Sequence, residues 1–240
     1  MISIPLTSNS PLSHTISYSV SPLFELAASL HTLAQLSPPA RFNNWSQDLL
    51  AQFKEARLSN DWEYFLPLFR YGIPDSFDPV ITRGVMSVDD QYEYFVTLPS
   101  DDFVRRLQPL LKKWNQHHDI PSVAFDIEED ADYVKGRFSL FVSSYWQLFF
   151  EANWEAIAPS FVREAEQIHH VLNDLPACLD YLNKISFGIT YDSEENRLLC
   201  PYEGPDYEVQ QLVLYPSHFY AAEPLLSKGG AGAHLLYSFL

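Results

Sequence analysis

The stretch "YSVSPLFELAASLHTLA", residues 18–34, decides the fold class because it places a strand directly before a helix. From residue 15 to residue 21 the sequence alternates apolar and small polar side chains, which predicts a short, half-buried strand. Ser21 can cap the helix that follows, and Pro22 suits the first helical position, where its missing N–H would have no partner. The apolar side chains beyond Pro22 recur at helical spacing on one stripe, and they are Leu23, Leu26, Ala27, Leu30, Leu33 and Ala34.

Further apolar stripes predict more helices between this opening and the middle of the chain. Pro67 is expected to end or kink one of them. Ser100 opens another, whose first turn carries Asp101 and Asp102 and so complements the helix dipole. The predicted ranges are 43–57, 61–69, 89–96 and 100–115.

The central segment "RFSLFVSSYWQLFFEANWEAIAPSF", residues 137–161, carries aromatic side chains on nearly every side of a predicted helix. A helix that is apolar all round is buried on most of its faces, so we expect this segment at the centre of a helical body. Pro159 is expected to permit a bend into a polar-faced helix, and a short helix at residues 176–185 follows.

The character of the sequence changes after residue 186. The runs "FGITYD", "RLLCPY" and "VQQLVLYPS" are rich in Ile, Val, Leu and Tyr and predict an antiparallel meander, and "AHLLYSFL" adds a strand at the end. The sequence therefore predicts an α+β fold in one domain over residues 1–240. A helical body at 21–185 precedes a small C-terminal antiparallel sheet at 186–240, and we expect the strand at 16–20 to join that sheet.

The charge balance argues against one class of function. Among the 240 residues, 31 acidic and 15 basic side chains give a formal net charge of −16. Duplex DNA requires several cationic side chains to displace its counterions, so we expect this chain not to bind nucleic acid. The apolar runs are too short to span a bilayer and no signal-peptide pattern opens the chain, which favours a cytoplasmic protein. The largest basic cluster, interpreted as the solvated face of a helix, comprises Arg105, Arg106, Lys112 and Lys113.

One pattern suits a metal site. Glu166 lies three and four residues before His169 and His170, so these side chains fall near one helix face. A di-metal site needs a second such motif, which the sequence lacks, and we therefore favour a structural role for all three residues. The rival hypothesis is a metal-dependent or acid–base enzyme that also uses carboxylates such as Glu151 or Glu155. We expect no enzymatic activity and no cofactor.

Aromatic residues make up 15% of the chain, and this excess has two interpretations. Core packing accounts for most of these residues and is the favoured one. The functional alternative is a cavity between the central helix and the sheet that follows it, because ligand pockets combine aromatic walls with a few polar tips. The loop "YGIPDSFDP", residues 71–79, would then form a lid. The residues predicted to face this cavity are Tyr71, Phe77, Tyr145, Trp146, Phe149 and Trp154.

Several stretches, taken in their order along the chain, resemble a known group of proteins. They are "ISYSVSPLFELAASLHTLA" (16–34), "YGIPDSFDP" (71–79), "YWQLFFEANWEAIAPSF" (145–161) and "LVLYPSHF" (212–219). Together they resemble the N-terminal, non-DNA-binding region of bacterial ArsR-like helix-turn-helix transcriptional regulators, over residues 18–239. The resemblance implies a region that senses a ligand or mediates assembly. It also implies a winged helix that reads DNA and would begin after Leu240, where this sequence stops.

The functional prediction combines these observations. We expect a ligand-sensing or dimerisation domain of a bacterial transcriptional regulator that does not itself contact DNA. Its expected partners are a small-molecule effector and a second copy of the chain. Besides the enzyme, the remaining alternative is a protein-interaction module whose helices bury a partner surface.

Overall fold

The computed structural model describes residues 1–7, 10–77, 88–221, 223–229 and 232–239. The chain has an α+β fold, as predicted. Its described residues form two compact units, one built from 1–20 and 157–239 and the other from 21–77 and 88–156. The first unit contains the described strands, and the second is helical. This partition differs from the predicted division at residue 186, because the helical residues after 156 group with the strands.

The helices and strands have the following bounds. The helices are α1 (Pro22–Ala34), α2 (Asn43–Glu55), α3 (Ser59–Phe65), α4 (Val88–Thr97), α5 (Ser100–Asn115), α6 (Ser122–Glu129), α7 (Ala131–Tyr145), α8 (Glu151–Val171) and α9 (Leu175–Ile185), with a π-helical turn at Trp146–Phe150. The strands are β1 (Ile2–Pro5), β2 (Ile16–Tyr18), β3 (Thr190–Asp192), β4 (Arg197–Cys200), β5 (Tyr207–Glu208), β6 (Gln211–Ser217), β7 (Leu225–Gly229) and β8 (Gly232–Ser238).

The strands form two four-stranded sheets of mixed direction, with orders β3–β4–β1–β5 and β2–β6–β8–β7. The predicted antiparallel meander is therefore wrong beyond its first hairpin. That hairpin joins β3 to β4, and its turn is held by the carboxylate of Asp192, which accepts from the backbone N–H of Glu194 and Glu195. β4 then pairs antiparallel with β1, a strand that the sequence analysis missed and whose Ile2 and Ile4 are fully buried.

In the second sheet, β6 has a parallel neighbour on each side. β2 and β8 both run parallel to β6, so the expectation that the early strand joins the C-terminal strands is confirmed, although that strand ends at Tyr18. Every side chain of β6 from Leu212 to Ser217 is buried. A strand that is buried on both faces is typical of parallel pairing, whereas the predicted meander required one solvated face.

The strands and two helical segments share one apolar core. Ile168 near the end of α8, Leu172 directly after it and Leu182 from α9 belong to the same buried cluster as Ile4 and Leu214. Pro159 lies inside α8, so the residues before and after it form one helix that continues to Val171. The predicted helix at 176–185 is confirmed as α9, which begins at Leu175 after an Asp174 cap.

The helical unit follows its local sequence signals closely. Ser21 caps α1 as predicted, its Oγ accepting from the backbone N–H of Phe24 at 3.1 Å. Pro67 lies in a 3₁₀ turn that follows α3, so its expected role in ending that helix is confirmed. α5 has the predicted bounds, but Ser100 is its first residue and its hydroxyl bonds to Asp132 in place of a backbone amide.

Edge-to-face and tilted aromatic contacts fill the core of this unit. Phe53 lies 5.8 Å from Tyr145 between ring centroids, and Phe138 lies 4.9 Å from Phe65. The central segment is buried on fewer faces than predicted, since Leu140 is 70% and Leu148 is 59% exposed. Phe138, Phe141 and Tyr145 are buried in the core.

Candidate functional site

A π-helical turn separates α7 from α8 and is the most unusual local feature of the helical unit. It spans Trp146–Phe150, where buried Phe150 packs 5.5 Å from the Trp146 ring and 5.9 Å from Tyr145. The carbonyl of Phe149 accepts a hydrogen bond from Asn153 Nδ2 at 2.6 Å. Single π turns within α-helices are frequently found at functional sites, so a functional site is expected beside this turn.

A cavity of about 240 Å³ opens beside this turn. Three elements besides the turn supply its walls: the start of α1, the start of α4, and the end of α7, with one residue of α8 at the rim. The lining residues are Leu23, Val88, Asp89, Tyr92, Val142, Ser143, Trp146, Gln147 and Glu151. These described lining residues all belong to the helical unit.

Gln91 fixes the position of α4 against α1. Its side chain is buried, and Oε1 accepts from Ser21 Oγ at 3.0 Å and from the backbone N–H of Leu23 at 3.1 Å. One side-chain amide therefore satisfies an N-terminal donor of α1, which has no partner within its own helix. This bond sets the distance between two walls of the cavity.

Two further hydrogen bonds attach α7 to the other walls. The hydroxyl of Tyr92, a lining residue, donates to the carbonyl of Ser139 at 3.2 Å. Ser29 on α1 bonds to Tyr145 at 2.8 Å and also donates to the carbonyl of Leu26, so Tyr145 is the donor in their shared bond. Burial raises the pKa of Tyr145 well above its ordinary value, which keeps this hydroxyl protonated and able to donate.

The lining has a distinct chemical composition. Leu23, Val88 and Val142 give an apolar surface, Trp146 adds an indole ring, and two carboxylates, Asp89 and Glu151, are exposed. Polar groups without charge come from Tyr92, Ser143 and Gln147. No Lys, Arg or His is among the lining residues of this described cavity. Polar and apolar atoms share this lining about equally, so it can offer a small ligand both hydrogen-bond partners and apolar contact.

Of the six residues predicted to face a cavity, Trp146 is among the lining residues and the other five are not. Tyr145 and Phe77 are buried in the aromatic core, Phe77 being stacked 5.0 Å from Phe95. Phe149 is half-buried and packs 5.2 Å from Phe53. Trp154 is half-buried on α8.

Tyr71 lies in a separate cluster at the end of α5. Its hydroxyl is 3.0 Å from His118 Nε2, and the Trp114 ring is 4.2 Å from the His118 ring. Residues 78 and 79 of the predicted lid lie outside the described residues. Its described part ends at Phe77, whose place in the core does not suit a lid.

The residues of the rival metal hypothesis do not form a site. Glu166, His169 and His170 are exposed on α8, while Ile168 between them is buried. In the described part of the chain, no three His, Cys, Asp or Glu side chains come together as metal ligands would. Three members of the basic cluster on α5, Arg105, Lys112 and Lys113, are exposed as interpreted. Arg106 is not on a solvated face, because it is half-buried and donates to the carbonyl of Asp75 at 3.0 Å.

Sequence reasoning missed most of the cavity because its walls come from distant segments. Asp89 and Tyr92 carry no local signal that connects them to Leu23 or Val142. The π turn leaves no trace in the apolar pattern of the sequence, because Phe149 follows Tyr145 at a spacing of four and so continues the α-helical pattern. Only the structure shows that the next buried position is Phe150, at a spacing of five.

No family model matches this chain, and no curated protein or solved structure shows significant similarity to it. Among the described helices, none is long and apolar enough to cross a membrane.

Proposed function

We propose that this chain is the ligand-sensing region of a bacterial transcriptional regulator and that its effector binds in the cavity at the π turn. The resemblance to the non-DNA-binding region of ArsR-like regulators supports the class. The cavity beside Trp146 supports the sensing role and is the observation that carries the proposal. As a cytoplasmic regulator, such a protein would contact DNA through another segment, consistent with a net charge of −16 over these residues.

The arrangement of the walls suggests how binding would be transmitted. The cavity is bounded by the start of α1, the start of α4 and the junction of α7 with α8, and Gln91 and Tyr92 connect these elements by hydrogen bonds. A ligand that contacts all three walls would favour the arrangement of these helices in which all of its contacts are made. It would shift the equilibrium between this arrangement and any other only by its difference in affinity for the two.

The test is a thermal-shift screen of the purified chain against a library of small metabolites. A ligand that binds only the folded state at a hundred times its Kd stabilises by about 2.7 kcal/mol. We expect at least one hit, whose shift is lost in Trp146→Ala and retained in Trp154→Ala, the matched control for a half-buried tryptophan outside the cavity. A large loss of stability in Trp146→Ala, about 3–5 kcal/mol as in a packed core, together with no hit, would refute the proposal.

A second candidate function, self-association, is favoured by an exposed apolar stripe. Tyr133, Leu140 and Leu148 are each more than half exposed along α7 and the π turn. The first two are seven residues apart, and the last two are separated by an α turn plus the wider π turn, so all three share one face. An exposed apolar stripe of this kind is typical of an interaction surface.

Light scattering across a dilution series tests this second candidate. We expect a dimer in the wild type and a monomer in the Leu140→Glu, Leu148→Glu double variant. Leu36→Glu is the control, since Leu36 is 88% exposed and lies away from the stripe. A wild-type monomer at high concentration would contradict self-association and leave the cavity proposal standing.

A further inference from the structure

We propose that the effector is a small organic cation, an ammonium or guanidinium group carried on a short apolar body. The inference rests on the proposed function, because it takes the cavity at the π turn as the effector site. It goes further by naming the chemical class of the ligand from the composition of the walls.

The size of the cavity sets the size of the ligand. Its volume is about 240 Å³, below the range of roughly 300–1,000 Å³ that is usual for drug-sized ligands. A water molecule takes about 30 Å³ of liquid volume, so the cavity holds the equivalent of about eight waters. The ligand therefore has on the order of ten non-hydrogen atoms.

The charges around the cavity select the sign of the ligand. Asp89 and Glu151 are exposed lining residues, and the described residues of the lining include no cationic side chain. Two cations of the helical unit bond elsewhere: Arg137 pairs with Asp61 at 2.7 Å, and Lys135 donates to the carbonyl of Val96 at 2.7 Å. Among the described lining residues, an anion would meet two carboxylates and no counter-charge, whereas a cation would be attracted by both carboxylates.

The helix dipole explains part, but not all, of the placement of Asp89 and Glu151 at this cavity. Asp89 lies in the first turn of α4 and Glu151 opens α8, and acidic residues are favoured at such positions by the helix dipole. That effect gives no reason for the two carboxylates to flank the same cavity together with an indole. The lining also contains Trp146, and tryptophan attracts cations to its ring face more strongly than tyrosine or phenylalanine does.

The remaining lining residues suit the rest of such a ligand. Of the aliphatic lining residues, Leu23 and Val142 are buried, so half-buried Val88 offers most of the surface against which an apolar body would pack. Ser143 and Gln147 bring side-chain oxygens that accept the N–H donors of an ammonium group. The described lining therefore supplies apolar contact and charge within one cavity.

Calorimetric titration with three probes of matched shape tests this inference. The probes are 2-phenylethylamine as the cation, 3-phenylpropionate as the anion and 2-phenylethanol as the neutral compound. We expect the amine to bind at least tenfold more tightly than the propionate. We expect the Asp89→Asn, Glu151→Gln double variant to weaken amine binding at least fivefold and to leave the alcohol unchanged. The Asp101→Asn, Glu155→Gln variant is the matched control, because it alters two exposed carboxylates outside the described lining, and Asp101, like Asp89, lies in the first turn of its helix.

The outcomes separate this inference from the proposed function. If the propionate or the alcohol binds at Trp146 as tightly as the amine, the cation assignment is wrong while the sensing site stands. If the amine binds equally well to the double variant, the assignment is also wrong. If no probe binds and the metabolite screen gives no hit that depends on Trp146, both proposals fail. Circular dichroism of each variant establishes that it is folded, as expected for exposed carboxylates.

Discussion

Replacing Gln91 by leucine is expected to destabilise the helical unit by about 1–3 kcal/mol. The substitution leaves the Leu23 N–H and the Ser21 hydroxyl without the acceptor that Gln91 Oε1 provides. Each buried donor left unsatisfied costs about 1–3 kcal/mol. The substitution also removes Gln91 Nε2, a buried nitrogen with no hydrogen-bond partner among the described residues, which offsets roughly one such cost. The net loss is therefore about that of one unsatisfied donor.

Tryptophan fluorescence during urea unfolding measures this loss for the helical unit alone. All five tryptophans lie between Trp45 and Trp154, within that unit. The change in midpoint multiplied by the slope gives the change in the free energy of unfolding. Gln108→Leu, on the exposed face of α5, is the control and is expected to stay within about 0.5 kcal/mol of the wild type.

A double-mutant cycle with Ser21→Ala identifies the bond responsible. Ser21→Ala alone is expected to cost about 1 kcal/mol, since it also removes the cap on the N–H of Phe24. We expect a coupling energy between Ser21 and Gln91 of about 0.5–1.5 kcal/mol. A coupling energy of zero, or a Gln91→Leu variant as stable as the wild type, would refute the reasoning that this amide holds α4 against α1.

Burial raises the pKa of Cys178 to about 11 and that of Cys200 to about 12, so at pH 8 we expect both thiols to react with a disulfide reagent only in urea. Fast labelling in native buffer would contradict this. Burial lowers the pKa of His31 below its ordinary value of 6.5, although its ring bonds to the carbonyl of Phe69. Its contribution to stability is therefore complete above pH 6.5 and is lost as the pH falls below it, and His31→Gln is expected to flatten the pH dependence of the urea midpoint between pH 7 and 5. Tyr237→Phe removes a hydroxyl that donates to Glu164 at 2.9 Å and is expected to cost about 1–2 kcal/mol by circular dichroism in urea, with a cost under about 0.3 kcal/mol arguing that the bond does not form in solution.

The helices of this protein were largely predictable because their signals are local. The serine cap of α1, the proline after α3 and the spacing of apolar residues in α5 each act within a few residues of where they stand. In the central segment a local signal was outweighed by packing. The π turn shifts the phase of the helix, so that Phe150 takes the next buried position.

Only one residue of the candidate site, Trp146, follows from the sequence prediction. Aromatic side chains with polar tips favour pockets, and Trp146 lines the cavity. Tyr145 and Phe77 carry the same kind of signal but lie in the core. Composition alone does not distinguish residues that line a cavity from residues of the packed core, because aromatic side chains are buried in both.

The α+β class, most helix positions and the strand-to-helix opening at residues 16–34 follow from the sequence, because caps and periodicity depend on neighbours along the chain. The parallel pairing of β2 and β8 with β6 and the pairing of β1 with β4 do not follow from it, because pairing depends on which strands meet in space. The same holds for the cavity. Leu23, Asp89 and Trp146 lie far apart in the sequence, and the packing of α1, α4 and α7 brings them to one site.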